Sequence, residues 1–256
     1  FNNYQVEHIA FNLIDKSGPR LTNSNGFERA ANYAVNQFLE WGLTNINKES
    51  WGEFGRGWEV NKSYIAMTKP YYMPFIAIPK AWTESTDGKI TGKVIFINKA
   101  EDYFEEYKGK LDGAIVAIMP SFKQELTFKA DARRFTEEEL KKMEEPTSTK
   151  RFTPEELAKF RERFALYRKL NDFLIDEGVS IILHDGYGKH GTLLTSSRPR
   201  VFLKKDTLNG VSDLDLAAEY IGLMNRLVEN GVDVEIEVEV KTTFNTENLE
   251  GYNVIA

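Results

Sequence analysis

Val232-Asp-Val-Glu-Ile-Glu-Val-Glu-Val-Lys241 decides the fold class of this chain. Val232, Val234, Ile236, Val238 and Val240 alternate with Asp233, Glu235, Glu237, Glu239 and Lys241. Side chains of a β-strand point to opposite faces at successive positions, so this stretch predicts a strand with one buried and one charged face. Four acidic side chains on the outer face suit an exposed or edge position. Upstream, Ala217, Tyr220, Ile221, Met224, Leu227 and Val228 recur at helical spacing. Ser212 or Asp213 is the expected cap of that helix and Gly231 its stop. Downstream, Gly251-Tyr-Asn-Val-Ile-Ala256 reads as a further strand, cut off within the element.

Towards the N-terminus, short apolar runs alternate with Gly, Pro and Asp turns from about Pro70. The runs are Phe75–Ile78, Lys93–Ile97, Ala114–Met119, Val179–Leu183 and Arg200–Leu203, the texture of a small β-rich domain. Two helices interrupt it. One follows Thr136, with Glu139 closing a capping box; the other follows Thr153, with Pro154 at its first position and Glu156 closing the box. The second carries Leu157, Phe160, Phe164, Tyr167, Leu170 and Leu174 as its apolar stripe. At about 1.5 Å per residue it runs roughly 35 Å. Polar Glu145–Arg151 joins the two helices. Near the N-terminus a helix is predicted from Asn25, with Asn25 as cap and Glu28 completing a capping box. Phe27, Ala30, Ala31, Ala34, Val35, Phe38 and Leu39 form its apolar face and Gly42 ends it. A weaker helix is expected over Val6–Ile14, and extended segments over Asn47–Glu53 and Glu59–Thr68.

The 256 residues are 41% hydrophobic, enough for one large domain or two small ones. The net charge of −6 argues against a nucleic-acid partner, which needs clustered Lys and Arg to displace counterions. No apolar run approaches the roughly 20 residues of a membrane span. Without cysteine there are no disulfides and no thiolate metal sites, and only His8, His184 and His190 supply imidazole.

Candidate chemical motifs are few. Gly186-Tyr-Gly-Lys-His-Gly191 matches the G-x-G-x-x-G dinucleotide fingerprint, but Thr192 onward does not start the helix which that mechanism needs. His184, Asp185 and His190 form the one cluster of possible metal ligands, and a self-contained hydrolase built on His184 and Asp185 would require a third ligand. Ser196-Ser197 lacks the G-x-S-x-G elbow of a serine hydrolase. Trp51, Phe54, Trp58, Tyr64, Tyr71 and Tyr72 are core packing or the lining of a groove. The acidic run after Thr136 and the basic face of the next helix read as solvated faces.

Three stretches together resemble one family: Ser17-Gly-Pro-Arg-Leu-Thr-Asn-Ser-Asn-Gly26 leading to Trp41-Gly42-Leu43, Trp51-Gly-Glu-Phe-Gly-Arg-Gly-Trp58, and Phe244 through Asn248-Leu-Glu-Gly-Tyr-Asn-Val-Ile-Ala256. They look like zinc exopeptidases related to secreted bacterial aminopeptidases, glutamate carboxypeptidase and the transferrin-receptor ectodomain, which carry a protease-associated (PA) domain inserted in the peptidase domain. Arg133–Leu140 and Arg168–Gly178 are similar to a helical insert found in a subgroup. The resemblance implies an α+β chain: a β-rich PA domain at about 70–208 with a helical insert at about 131–178. It is flanked by peptidase-domain pieces at 1–69 and 209–256, belonging to an incomplete α/β domain. It also implies two zinc ions in the intact parent, with ligands beyond the strand that ends at Ala256, so no catalytic, cofactor or metal residue is assigned here. The expected function is the non-catalytic, cleft-covering portion of a zinc aminopeptidase in an extracellular or periplasmic location. The expected partners are the remainder of the catalytic domain and a peptide substrate, with no nucleic acid and no membrane. The alternative is a stand-alone PA-type module that binds protein or peptide. The apolar faces of Ala30–Leu39 and Val232–Val240 are expected to pack on each other and to leave a patch that favours a homo-dimer.

Overall fold

The charged strand lies in the middle of a sheet. In a computed structural model, which describes residues 4–97, 102–119, 128, 130, 132–144, 152–186, 188–197 and 211–256, the chain runs α1 (Val6–Ala10, continued by a π-helical turn Phe11–Asp15), α2 (Asn25–Glu40), β1 (Asn47–Glu53), β2 (Gly57–Lys69), β3 (Met73–Pro74), β4 (Ala77–Pro79), β5 (Ile90–Ile97), α3 (Asp102–Tyr107), β6 (Ile115–Ile118), α4 (Glu137–Glu144), α5 (Pro154–Asp176), β7 (Ile181–Gly186), β8 (Ser212–Ala217), α6 (Ala218–Glu229), β9 (Glu235–Asn245) and β10 (Glu250–Ile255). The expected run Arg200–Leu203, the polar stretch 145–151 and Tyr187 lie outside the described residues. The α+β class expected from the sequence is observed, as a large mixed sheet with helices.

Eight strands hydrogen-bond in the order β3-β2-β9-β5-β6-β7-β8-β4. β5, β6, β7 and β8 are parallel to one another, and the remaining pairs are antiparallel. β3 and β4 are two ends of one short segment, 73–79, which pairs with β2 at Ala66 and Met67 and with β8 at Leu214–Leu216. That segment closes the sheet on itself as a barrel. Its strands come from all three expected segments, since β2 and β9 are hydrogen-bonded into it.

The position expected for β9 needs correction: it is flanked by β2 and β5 rather than lying at an edge. Its outward carboxylates are tolerated there because lysines from neighbouring segments meet them. Lys69 lies 3.0 Å from Glu235, Lys89 2.7 Å from Glu237 and Lys62 2.5 Å from Glu239. Each exposed pair is worth little alone, but together they remove the like-charge repulsion of an acidic strand face. The inward residues Val234, Ile236, Val238 and Val240 join Ile65, Ile115, Ile181 and Leu214 in the barrel core, which Ile221 and Met224 of α6 seal. A second core on the other side of β6 and β7 packs Val116, Ile118 and Ile182 against Leu170 and Leu174 of α5.

Ser212 or Asp213, expected to cap a helix already carrying Ala217, instead opens strand β8 (Ser212–Ala217), buried throughout; the helix begins at Ala218. The cap of α2 is Ser24, whose Oγ accepts from the Phe27 amide at 3.1 Å, because Asn25 already stands in the helix and donates its amide to Glu59. α2 does not pack on β9: Phe27 meets Tyr252 of β10 at a ring separation of 5.0 Å, and the β9 face is covered by α6. The capping boxes at Thr136 and Thr153 form as read. Only the C-terminal part of the α5 stripe is buried, whereas Leu157, Phe160 and Phe164 are exposed.

β1 and β10 form a separate two-stranded antiparallel sheet. Glu28 of α2 ties it down by accepting from the Tyr252 hydroxyl and from Lys48. Burial opposes the Glu28 charge, but these two donors outweigh it and hold the carboxyl below its usual range.

Candidate functional site

Lys80, Asp213 and Asp215 are among the most buried charges of the chain, at 4%, 1% and 4% exposure. On β8, Leu214 and Leu216 point into the barrel, so alternation turns Asp213 and Asp215 to the other face. There they meet Lys80, which follows β4. Its Nζ lies 3.2 Å from Asp213 Oδ1 and 3.7 Å from Asp215 Oδ1. His184 of β7 places Nε2 3.0 Å from Asp213 Oδ1, without hydrogen-bond alignment, and Tyr167 of α5 covers the group from above, 6.2 Å from the His184 ring. Burial lowers the affinity of Lys80 for its proton, but Asp213 foremost, with Tyr167 and Asp215, outweighs that and raises its pKa above the ordinary lysine value. Burial likewise pushes the Tyr167 phenol up.

Two branches of hydrogen bonds carry this buried network to the surface. Ser196 donates both its hydroxyl (2.7 Å) and its amide (3.1 Å) to Asp215 Oδ2, which fixes the loop 195–197. The Asp213 amide donates to Thr83 Oγ1 at 2.6 Å, and the Thr83 carbonyl accepts Trp58 Nε1 at 2.8 Å. Trp82, at a left-handed φ of 63°, donates its Nε1 to the Arg56 carbonyl at 2.9 Å. A non-glycine residue held in that region is strained by roughly 1–3 kcal/mol, and such residues cluster at functional sites.

In front of these groups lies a cleft of about 800 Å³. Trp58, Trp82, Val60 and Ile78 form its apolar walls, and Arg29 and Glu59 stand among its lining residues. Both indole N–H groups are consumed by backbone carbonyls, so the rings present apolar faces. The site is therefore a preformed, mostly apolar cleft with a few polar groups, the usual form of a binding site.

The residues singled out in the sequence are dispersed. His184 belongs to the buried network, Asp185 follows it on the opposite face of β7, and His190 is exposed in the loop with φ 58°. Among the described residues no three His, Asp or Glu side chains converge to hold a metal ion, so they do not fit a zinc centre. The described residues 192–197 that follow Gly191 are not helical, and Ser196 is engaged by a carboxylate. Of the aromatic cluster, Trp58 is buried and lines the cleft, whereas Trp51, Tyr71 and Tyr72 are exposed. Lys80, Trp82, Asp213 and Asp215 were missed. The alternation in Ser212-Asp-Leu-Asp-Leu216 was the one available signal. No described helix is long and apolar enough to cross a membrane.

No protein-family model and no curated protein sequence matches the chain. Among solved structures, an aminopeptidase from Aneurinibacillus sp. strain AM-1 (TM-score 0.48, 13% identity, 97% of this chain and 46% of that one) and a zinc aminopeptidase from Bacillus subtilis (0.49, 10%, 97% and 44%) are similar. A peptidase M28 precursor from Shewanella amazonensis SB2B matches with a TM-score of 0.57 at 17% identity. That match covers 97% of this chain and 49% of the other, so the chain spans about half the length of the solved structures it resembles and shares the fold of that half of an M28 peptidase.

Proposed function

We propose that this chain is the protease-associated portion of a zinc aminopeptidase together with the first elements of its peptidase domain. In this reading it is itself non-catalytic, and it covers or gates the cleft in which the rest of the enzyme hydrolyses peptides. One observation carries the reading. β1 and β10 stand apart from the barrel as a two-stranded sheet, every residue of β1 is exposed, and the outer edge of β10 has no strand beside it among the described residues. Two strands are at best marginal in water on their own. A groove of about 480 Å³, lined by Leu13, Ile14, Phe27, Tyr252 and Val254, opens beside the same pair. Both features suit a sheet that continues into further strands of a peptidase domain. The membership of β2 and β9 in the barrel supports unit boundaries near 54 and 246 rather than at 69/70 and 208/209.

Zinc in the parent would polarise the scissile carbonyl and activate water. An extracellular or periplasmic location and a peptide substrate belong to the same reading.

Amide hydrogen exchange at residues 251–255 tests it. In the monomeric chain, amides facing β1 should be protected and those facing outward should exchange freely; joined to the remainder of the peptidase, both sets should be protected. Protection of both sets in the monomeric chain alone would overturn the proposal.

A further inference from the structure

The barrel has an open seam. β2 pairs with β9 along its whole length, from Gly57 to Lys69, but meets β3 only at Ala66 and Met67, and the Phe75 amide reaches the Ile65 carbonyl. From Gly57 to Tyr64 the second edge of β2 carries no strand among the described residues. The cleft lies against that edge. Trp58, Glu59 and Val60 are successive residues of one strand, and all three line it. Successive side chains of a strand point to opposite faces, so a cavity touched by three in a row is being met by the strand's edge. Across the cleft stand Ile78, Pro79, Ala81 and Trp82, held by the buried Lys80 network. Val60 and Ile78 are both 40% exposed. Arg29, which donates to the Ser17 carbonyl at 2.8 Å, makes no ion pair among the described residues.

We propose that this cleft binds an extended peptide, which adds to the free edge of β2 as a strand and places an apolar side chain between Trp58 and Trp82. Backbone pairing supplies affinity for any extended segment, and the indole-walled cavity selects apolar residues at alternate positions. A free edge is otherwise a liability for uncontrolled pairing, and a flanking cavity with fixed walls restricts what can pair. Arg29 offers the remaining guanidinium donors to a peptide carbonyl or carboxylate. The inference stands on the barrel seam and does not depend on the peptidase reading.

The test is titration of the 256-residue chain with a blocked hexapeptide of alternating serine and leucine, and with two analogues N-methylated at odd or at even amides. Strand addition uses only one set of amides. One analogue should bind at least about tenfold more weakly and the other like the parent peptide. Trp82→Ala should lose at least about tenfold as well. Should that variant fail to fold, Val60→Arg, at an exposed position, fills the cleft and should give the same loss. Equal behaviour of the two analogues, absence of saturable binding, or unchanged binding to Val60→Arg would overturn the proposal.

Discussion

Lys80→Met is expected to destabilise the protein by about 3–5 kcal/mol in denaturant unfolding, because it leaves two carboxylates buried without their cation. Asp213 and Asp215 are nearly inaccessible, so solvent compensates poorly for the loss of Lys80. Adding Asp213→Asn and Asp215→Asn to Lys80→Met should recover most of the loss, since the cost lies in the unpaired charges. Lys89→Met removes an exposed pair with Glu237 and should change stability by less than about 1 kcal/mol. The effect also has a pH signature. The pKa of Lys80 is raised in the folded protein, so its contribution is complete below the unfolded value of about 10.4 and is lost as pH rises through the folded value. Stability measured from neutral pH into alkali should fall in the parent and fall less in Lys80→Met. A variant as stable as the parent would show that the network does not hold the site.

Gly57→Ala is the second large effect, with an expected loss of about 3 kcal/mol. A Cβ at Gly57 would stand 1.9 Å from the Asn23 carbonyl oxygen and 2.4 Å from its carbon, both of them backbone atoms. Neither side yields easily. Asn23 is buried at φ 62° with its amide bonded to the Gly55 carbonyl, and Gly57 is the register partner of Asn245. Gly92→Ala meets only the end of Ile115, 3.4 Å away, and serves as the comparison in the same unfolding experiment, with a loss below about 1 kcal/mol. Equal losses at the two positions would mean that segment 19–24 is free to move off β2.

The elements legible in the sequence are those whose signal is local. The Thr153–Glu156 capping box and the alternation of β9 lie within a few residues of one another. Of the exposed or edge position expected for β9, the edge alternative does not hold, and the local pattern could not tell because Lys62, Lys69 and Lys89, which balance its carboxylates, come from two other segments of chain. Ser212 or Asp213 reads as a helix cap because Ser or Asp in front of an apolar helix is a common N-terminal signal. Only Lys80, brought there by the fold, lets the same two aspartates be buried in a strand. The cleft was half legible: Trp58 belonged to a visible aromatic cluster, but Trp82 and the free edge of β2 are properties of strand pairing, which no local pattern reports.

Peptide binding is proposed for this chain and hydrolysis for residues outside it. Measuring bound zinc and the turnover of an aminoacyl anilide by the purified 256-residue chain tests this most directly. The expected result is no stoichiometric zinc and no turnover that a chelator abolishes. Tightly bound zinc accompanied by chelator-sensitive hydrolysis would contradict it.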